Sequence, residues 1–491
     1  MNARPLIAWR FVLPIAIAEL IVQLAFANRY GYHRDELYFR VAGRHPAAGY
    51  DDQGPVTPLL GFVSETLFGE SPRGLRVVSA LAVSLVVIVV ALLARELGAR
   101  AVGQGVAAAG TAASAFVLAV GHLLTTSTFD LLVWTTTLLL VAAMLGGGDA
   151  RLWLVVGAVV GVGLQNKQLP LLLVLALAVG LALDRRLLEA LRSPWLWAGV
   201  ALALVVWLPN LAWQAMNGWP QAELAADIRQ DEAAESRATM LPLQLLLVGP
   251  LLVPVLAAGL WGLFRDPMLR PWRSFGIAYL ALLVLLLVLG GKPYYAAPFL
   301  LGLLAAGAVP VERWLVTGTR KALLGTALVG TAAVSAVVAL PVLPVDQLER
   351  TPIADLNDDA IETVGWPELV RTVARVHGGL PENERASAIV FTANYGEAGA
   401  VDRFGPALGV PGAYSGHNAY ARFGIPMGST GPVIVLGYRI PPALLAGCRP
   451  VASIDNGVEL ENEEQGGTVF VCTGPRRPWA EIWRRLRHLD A

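Results

Sequence analysis

The chain has 491 residues, 55% hydrophobic and only 15% charged, with a mean hydropathy of +0.58. These values exclude an ordinary soluble globule and point to a multispan membrane protein. A formal net charge of zero, with arginines scattered between loops, excludes the basic footprint of a nucleic-acid-binding protein.

Apolar runs long enough to cross about 30 Å of hydrocarbon recur along the chain. They are expected near 7–27, 74–95, 101–121, 127–146, 151–166, 169–184, 194–213, 242–264, 273–290, 294–311 and 321–343. The first has a basic start, but its apolar run is long and no small-residue cleavage site follows, so it reads as a retained signal anchor. These eleven spans form an expected membrane domain over 1–344, with a first outer loop at 28–73. Segment 218–240 reads as an interfacial amphipathic helix.

Orientation follows from basic residues in the short loops. With the N-terminus inside, the inner loops carry Arg4, Arg10, Arg95, Arg100, Arg151, Arg185, Arg186, Arg192, Arg265, Arg270, Arg273, Arg313, Arg320 and Lys321. The first outer loop breaks the trend with Arg29, Arg34, Arg40, Arg44, Arg73 and Arg76, which suggests that it grips an anion. The same loop holds Asp35, Glu36, Asp51 and Asp52, in the stretch GYHRDELYFRVAGRHPAAGYDDQGP. Carboxylates beside Tyr30, Tyr32, Tyr38 and Phe39 suit the headgroup layer, where a solvated loop of salt bridges is the plain alternative to a site.

Only three lysines exist, Lys167, Lys292 and Lys321, and the first two fall in tight outer turns, against the trend. They either anchor their turns at the interface or neutralise an anion with Arg34; Tyr294 and Tyr295 adjoin Lys292. Asp130 lies at the outer end of a span, a costly place for a carboxylate, where it either supports a site with His122 or caps a helix.

From about residue 345 the pattern becomes mixed α/β. ASAIVFTANYGEAGAVDRFG (386–405) reads as strand, glycine-rich turn and helix; PVIVLGY (432–438) and TVFVCTG (468–474) as strands; PWAEIWRRLRHLD as an amphipathic helix. Residues 345–491 are therefore expected to form a soluble α/β domain on the outer face. Glu397, Asp402, His417 and Asn418 lie within it, in turns whose geometry alone explains their glycines. Cys448 and Cys472 fit either a disulfide or two free thiols, and no zinc pattern. No internal repeat marks an inverted-repeat transporter.

The pairing of HRDELYF with YDDQGPVTPLL resembles the first extracytoplasmic loop of the GT-C glycosyltransferases, in particular the protein-mannosyltransferase-like branch that includes the lipid A aminoarabinose transferases. QNKQ at 165–168, WLPNLAWQAMNGWP at 207–220 and GKPYYAAP at 291–298 agree with it. The resemblance implies a polytopic helical membrane body of GT-C type, with Asp35 as catalytic base. It departs at Gln53, where aminoarabinose transferases carry a lysine.

Such an enzyme would move a sugar from a polyprenyl phosphate to an acceptor hydroxyl of a glycan, lipid or protein, at the outer face of a bacterial-type inner membrane. A phosphate leaving group needs cations more than a general acid, and attack opposite it inverts the anomeric centre. Asp35, Glu36 and Asp52 are the candidate catalytic carboxylates. Arg34, Lys167, Lys292, Tyr294, Tyr295, Asp51 and Asp130 are the candidates for donor binding. The sequence specifies no cofactor and leaves a divalent ion open, for which Asp35, Asp52 and His33 are the candidate ligands. The competing class is a transporter or flippase of lipid-linked sugars, whose carboxylates would line a path; their clustering in one loop favours the enzyme.

Overall fold

The computed structural model describes residues 4–437 and 444–490. It divides into two compact units: residues 1–27, 76–218 and 225–340 form one, and residues 28–75, 219–224 and 341–491 the other. By contact, the 28–75 segment groups with the C-terminal residues and not with the helices that flank it in sequence.

The first unit is helical. Among the described residues, seven helices are long and apolar enough to cross a membrane: Trp9–Phe26, Pro72–Glu96, Thr126–Leu145, Pro194–Met216, Arg270–Leu289, Pro293–Trp314 and Gly318–Ala339. The number rises to nine if two bent pairs each count as one span. Ala101–Ala112 and Ala115–His122 meet at 57°, and Glu232–Val248 and Pro250–Arg265 at 85°. The second bend falls at Gly249, whose φ of +105° a glycine adopts without strain, followed by Pro250, which cannot donate to the ladder. The remaining two expected spans are shorter helices, Leu152–Leu164 and Pro170–Leu183, of 13 and 14 residues.

Segment 218–240 differs from expectation as well. A single helix, Pro220–Val248, runs through it into the next apolar run with Pro242 inside. The helices pack closely where small residues meet: a Cβ at Gly157 would stand 2.1 Å from the carbonyl oxygen of Gly199 on the neighbouring helix. Trp134, Leu138, Leu282, Phe299 and Leu304 fill the centre, whereas Val205, Val284 and Val329 stay exposed, as suits hydrocarbon.

In the second unit the expected outer loop is mainly helical. Arg34–Arg44 and Val56–Phe68 are helices, because DELYFRVAG has helical spacing of its apolar residues and a capping box at its start. Among the described residues, the C-terminal part forms a five-stranded sheet. Its strands are β1 (Ile389–Thr392), β2 (Ala413–Ser415), β3 (Val433–Leu436), β5 (Arg449–Ser453) and β6 (Thr468–Cys472), in the order β2-β1-β3-β6-β5. β4 (Leu445–Ala446) and β7 (Gly474–Pro475) pair separately.

β1 is parallel to β2 and β3, while β6 runs antiparallel to β3 and β5. Tyr438, expected at the end of a strand, lies outside the described residues. β1 feeds the helix Tyr395–Phe404, as the 386–405 pattern predicts. The amphipathic helix Trp479–Leu486 turns Trp479, Ile482, Trp483 and Leu486 into the core and leaves Arg484 and Arg485 exposed. Cys448 and Cys472 form a disulfide beside the β5–β6 pair.

Candidate active site

The acidic residues of the first outer segment have four different environments. Glu36 is fully buried, and its carboxylate accepts the backbone N–H of His33 at 2.8 Å. The His33 ring in turn accepts the N–H of Asp35 through Nδ1 at 3.2 Å, so the two side chains close the first turn of the Arg34–Arg44 helix. Asp35 sits in that turn, half-buried, and its Oδ1 accepts the Tyr395 hydroxyl at 2.8 Å.

Asp52 Oδ1 accepts the Tyr38 hydroxyl at 2.7 Å. The Tyr38 and Tyr395 rings stack, with centroids 4.7 Å apart and planes 27° from parallel. Two stacked phenols therefore hand their hydroxyls to two different carboxylates. Burial raises Asp52 to about 7; the Tyr38 hydrogen bond opposes this, while the charges of Asp51 and Asp35 add to it. Asp51 is buried and held by Arg422 at 2.5 and 2.7 Å.

The Arg34–Arg44 helix lies against the Tyr395–Phe404 helix where Gly399 permits it. A Cβ at Gly399 would stand 2.8 Å from the Leu37 carbonyl. Arg34 is committed to Glu362 at 3.4 Å and to Glu463, and its guanidinium lies 5.3 Å from the centre of the Tyr395 ring. His33 Nε2 faces Glu362 at 3.3 Å and Asp359 at 3.6 Å. Burial works against the charged imidazole, but the Glu362 hydrogen bond and the charges of Asp35, Asp359 and Glu362 raise His33 to about 9.

His33, Asp35 and Asp52 are consequently not assembled as a ligand set. Among the described residues no three His, Cys, Asp or Glu side chains gather so as to hold a metal ion.

The other candidates lie in the helical unit. Asp130 is buried, in the second turn of the Thr126–Leu145 helix, and its Oδ1 accepts Asn166 Nδ2 at 3.3 Å. Asn166 also donates to the Thr126 carbonyl at 2.8 Å, tying the 165–168 turn to that helix start. Lys167 Nζ stands 5.5 Å from the centre of the Tyr295 ring, which meets Tyr294 edge-on at 4.9 Å. Lys292 pairs with Glu232 at 3.0 Å. His122, named with Asp130 as a candidate support of the site, has its Nε2 3.3 Å from Arg76 Nη1.

Sequence reasoning left out Tyr395 and Arg422, which contact Asp35 and Asp51 across separations of 360 and 371 residues. One signal for the first is the pair Gly396 and Gly399 at the start of a helix, which marks a close approach by another backbone. Arg422 carries no comparable mark. Of the polar residues noted in the C-terminal part, Glu397 closes a capping box on Asn394, and Asp402 accepts the Tyr420 hydroxyl. His417 stacks on Tyr395 with centroids 4.5 Å apart, and Asn418 donates to the Asp490 carbonyl at 2.8 Å.

Residues 52–213 match the family model described as dolichyl-phosphate-mannose-protein mannosyltransferase. No curated protein matches the chain by sequence. Among solved structures, ArnT from Cupriavidus metallidurans bound to undecaprenyl phosphate is similar over 94% of this chain and 98% of its own, at 15% identity and a TM-score of 0.55. The arabinofuranosyltransferase AftD from Mycobacteria is similar over 96% of this chain and 40% of its own, at 15% identity and a TM-score of 0.53. The archaeal oligosaccharyltransferase AglB from Archaeoglobus fulgidus is similar over 80% of this chain and 63% of its own, at 13% identity and a TM-score of 0.51. The chain is a multi-pass membrane protein with the fold of the GT-C glycosyltransferases, and about a third of it matches the protein-mannosyltransferase family model.

Proposed function

We propose that the protein is an inverting glycosyltransferase that takes a sugar from a polyprenyl-phosphate donor and passes it to an acceptor hydroxyl, with Asp35 as the base. The observation that carries this reading is the orientation of Asp35: a half-buried carboxylate at the start of a capped helix, with one oxygen occupied by Tyr395. A carboxylate so held can take the proton of a hydroxyl brought within hydrogen-bond reach, while the departing phosphate needs only neutralisation. Glu36 serves as the cap that sets the angle of Asp35, and Asp52 as its partner carboxylate.

Lys167, backed by Tyr295, is the proposed holder of the donor phosphate. Lys292 takes that role only by exchanging Glu232 for phosphate, and Arg34 only by giving up Glu362 and Glu463. ArnT in complex with undecaprenyl phosphate shares the fold, which supports a lipid-phosphate donor. The bias of arginines toward one set of loops and the Cys448–Cys472 disulfide support an inner-membrane protein whose C-terminal domain faces an oxidising, extracytoplasmic compartment.

The test is sugar transfer by membranes carrying the wild-type or Asp35→Asn protein. Labelled undecaprenyl-phosphate mannose, glucose, galactose and arabinose serve as donors, and native envelope as the source of acceptors. Asp35→Asn is expected to lose at least about a hundredfold in turnover while folding normally. Wild-type turnover by a folded Asp35→Asn protein would remove Asp35 from the mechanism.

A further inference from the structure

The C-terminal sheet domain contributes side chains to the carboxylate site, and the one that touches the proposed base is Tyr395. Resting on the reading of Asp35 as base, we infer that Tyr395 is a positioning residue for the transfer: its hydroxyl holds Asp35 Oδ1 so that the second carboxylate oxygen is presented to the acceptor.

Every degree of freedom of Tyr395 is restrained. Its backbone opens a helix whose capping box joins Asn394 and Glu397, and its own N–H reaches His417 Nδ1 at 3.3 Å. Its ring stacks on Tyr38 at 4.7 Å and on His417 at 4.5 Å, and His417 stacks in turn on His488 at 4.9 Å. The Arg34 guanidinium lies 5.3 Å from the ring centre. A phenol fixed on so many sides leaves its hydroxyl one direction, toward Asp35 at 2.8 Å.

The proton stays on that oxygen. Burial pushes Tyr395 well above the usual phenol range, and the charge of Asp35 adds to the effect, with Arg34 opposing it. Tyr395 is therefore a donor throughout the neutral range. Without it, the Asp35 side chain would be free to turn about its terminal torsion, which is broad and roughly two-fold.

The stack on Tyr38 adds a second consequence. Tyr38 gives its hydroxyl to Asp52, so the contact between two rings also fixes the spacing of two carboxylates. A base held within about half an ångström of its productive place needs this kind of support from packed neighbours. Tyr395, with His417 and His488 stacked behind it, thereby acts as part of the catalytic apparatus.

The test is Tyr395→Phe in the full chain, which keeps the ring stack and removes only the hydroxyl. It is assayed with whichever of the four undecaprenyl-phosphate sugars Asp35-dependent transfer selects. The expected result is a fall in kcat of about 10- to 100-fold, with the donor KM changed less than about twofold and the melting temperature nearly unchanged. An unchanged kcat, or a loss of kcat matched by an equal loss of folded protein, overturns the inference. If Tyr395→Phe does not fold, 3-fluorotyrosine at position 395 keeps both ring and hydroxyl and alters only the strength of the hydrogen bond. A changed kcat is then expected, and an unchanged one overturns it. Asp35→Asn, run alongside, separates the two ideas. An inactive Asp35→Asn with a fully active Tyr395→Phe removes the positioning role alone, whereas an active Asp35→Asn removes the base and the positioning role together.

Discussion

Arg422 grips both oxygens of the buried Asp51 carboxylate, with Nε 2.5 Å from Oδ2 and Nη2 2.7 Å from Oδ1. A guanidinium matches a carboxylate in this two-pronged way and an ammonium does not. Asp51 directly precedes Asp52, whose Oδ1 accepts the Tyr38 hydroxyl at 2.7 Å. Removing Arg422, whose own side chain is 29% exposed, leaves the buried Asp51 carboxylate only Arg487 at 3.8 Å, at a cost of roughly 1–3 kcal/mol. Arg422→Ala is therefore expected to lower the melting temperature sharply, Arg422→Lys by less, and Asp51→Asn with Arg422→Ala by less than Arg422→Ala alone. Thermal unfolding in detergent reads all three.

Gly399 permits the approach of the Leu37 backbone, where a Cβ would stand 2.8 Å from the carbonyl. Gly399→Ala must push the two helices apart and should cost roughly 1–3 kcal/mol. It should also reduce turnover, because Asp35 and Tyr395 lie on the separated helices. At Gly378 a Cβ meets nothing within 4 Å. Gly378→Ala is accordingly expected to stay within about 0.5 kcal/mol of wild type, which makes it the matched control.

His33 links stability to pH. Its folded-state value of about 9 exceeds the ordinary 6.5, so the folded protein holds a proton that the unfolded chain releases between those values. The stabilisation is complete below about pH 6.5 and is lost as pH rises through about 9. Asp52, raised to about 7, and buried Glu397, raised to about 8, act in the same direction: each becomes a growing penalty as pH rises from the ordinary carboxylate range toward its folded value. Melting temperatures should therefore fall from pH 5 to 9. His33→Asn keeps a side-chain cap without the charge, and should flatten the decline above pH 6.5. An unaltered profile in that variant would assign the decline to the carboxylates.

The Cys448–Cys472 disulfide closes a loop with a sequence separation of 24. In the chain-entropy account a loop of that size is worth roughly 3–4 kcal/mol. Reduction, or Cys448→Ala with Cys472→Ala, should destabilise the sheet around β5 and β6. Faster proteolysis of the C-terminal domain upon reduction, with the helical unit intact, is the expected observation.

Much of the fold was legible in the chain because lipid imposes a one-dimensional code. A run of apolar residues must become a helix, so each of the eleven expected segments corresponds to a helix or a bent pair. Hydropathy did not reveal the bends at Ser114 and Gly249 or the shortness of Leu152–Leu164 and Pro170–Leu183, since a kink hardly alters local composition. The first outer segment resembles a loop in sequence because its charge masks the helical spacing of Leu37, Tyr38 and Phe39 with Ala42.

The sequence by itself determined that the protein crosses a membrane, that carboxylates cluster at 35–52, and that a mixed α/β domain follows near 345. Those features follow from composition and local spacing, which each segment carries alone. Only the tertiary structure decided how the carboxylates differ. Glu36 turns to its own backbone, Asp51 to Arg422, Asp52 to Tyr38 and Asp35 to Tyr395. Two of those four partners stand more than 350 residues away in the chain. Hydrogen bonds select by distance in space, and a pattern confined to one stretch of sequence does not specify which distant residues folding will bring there.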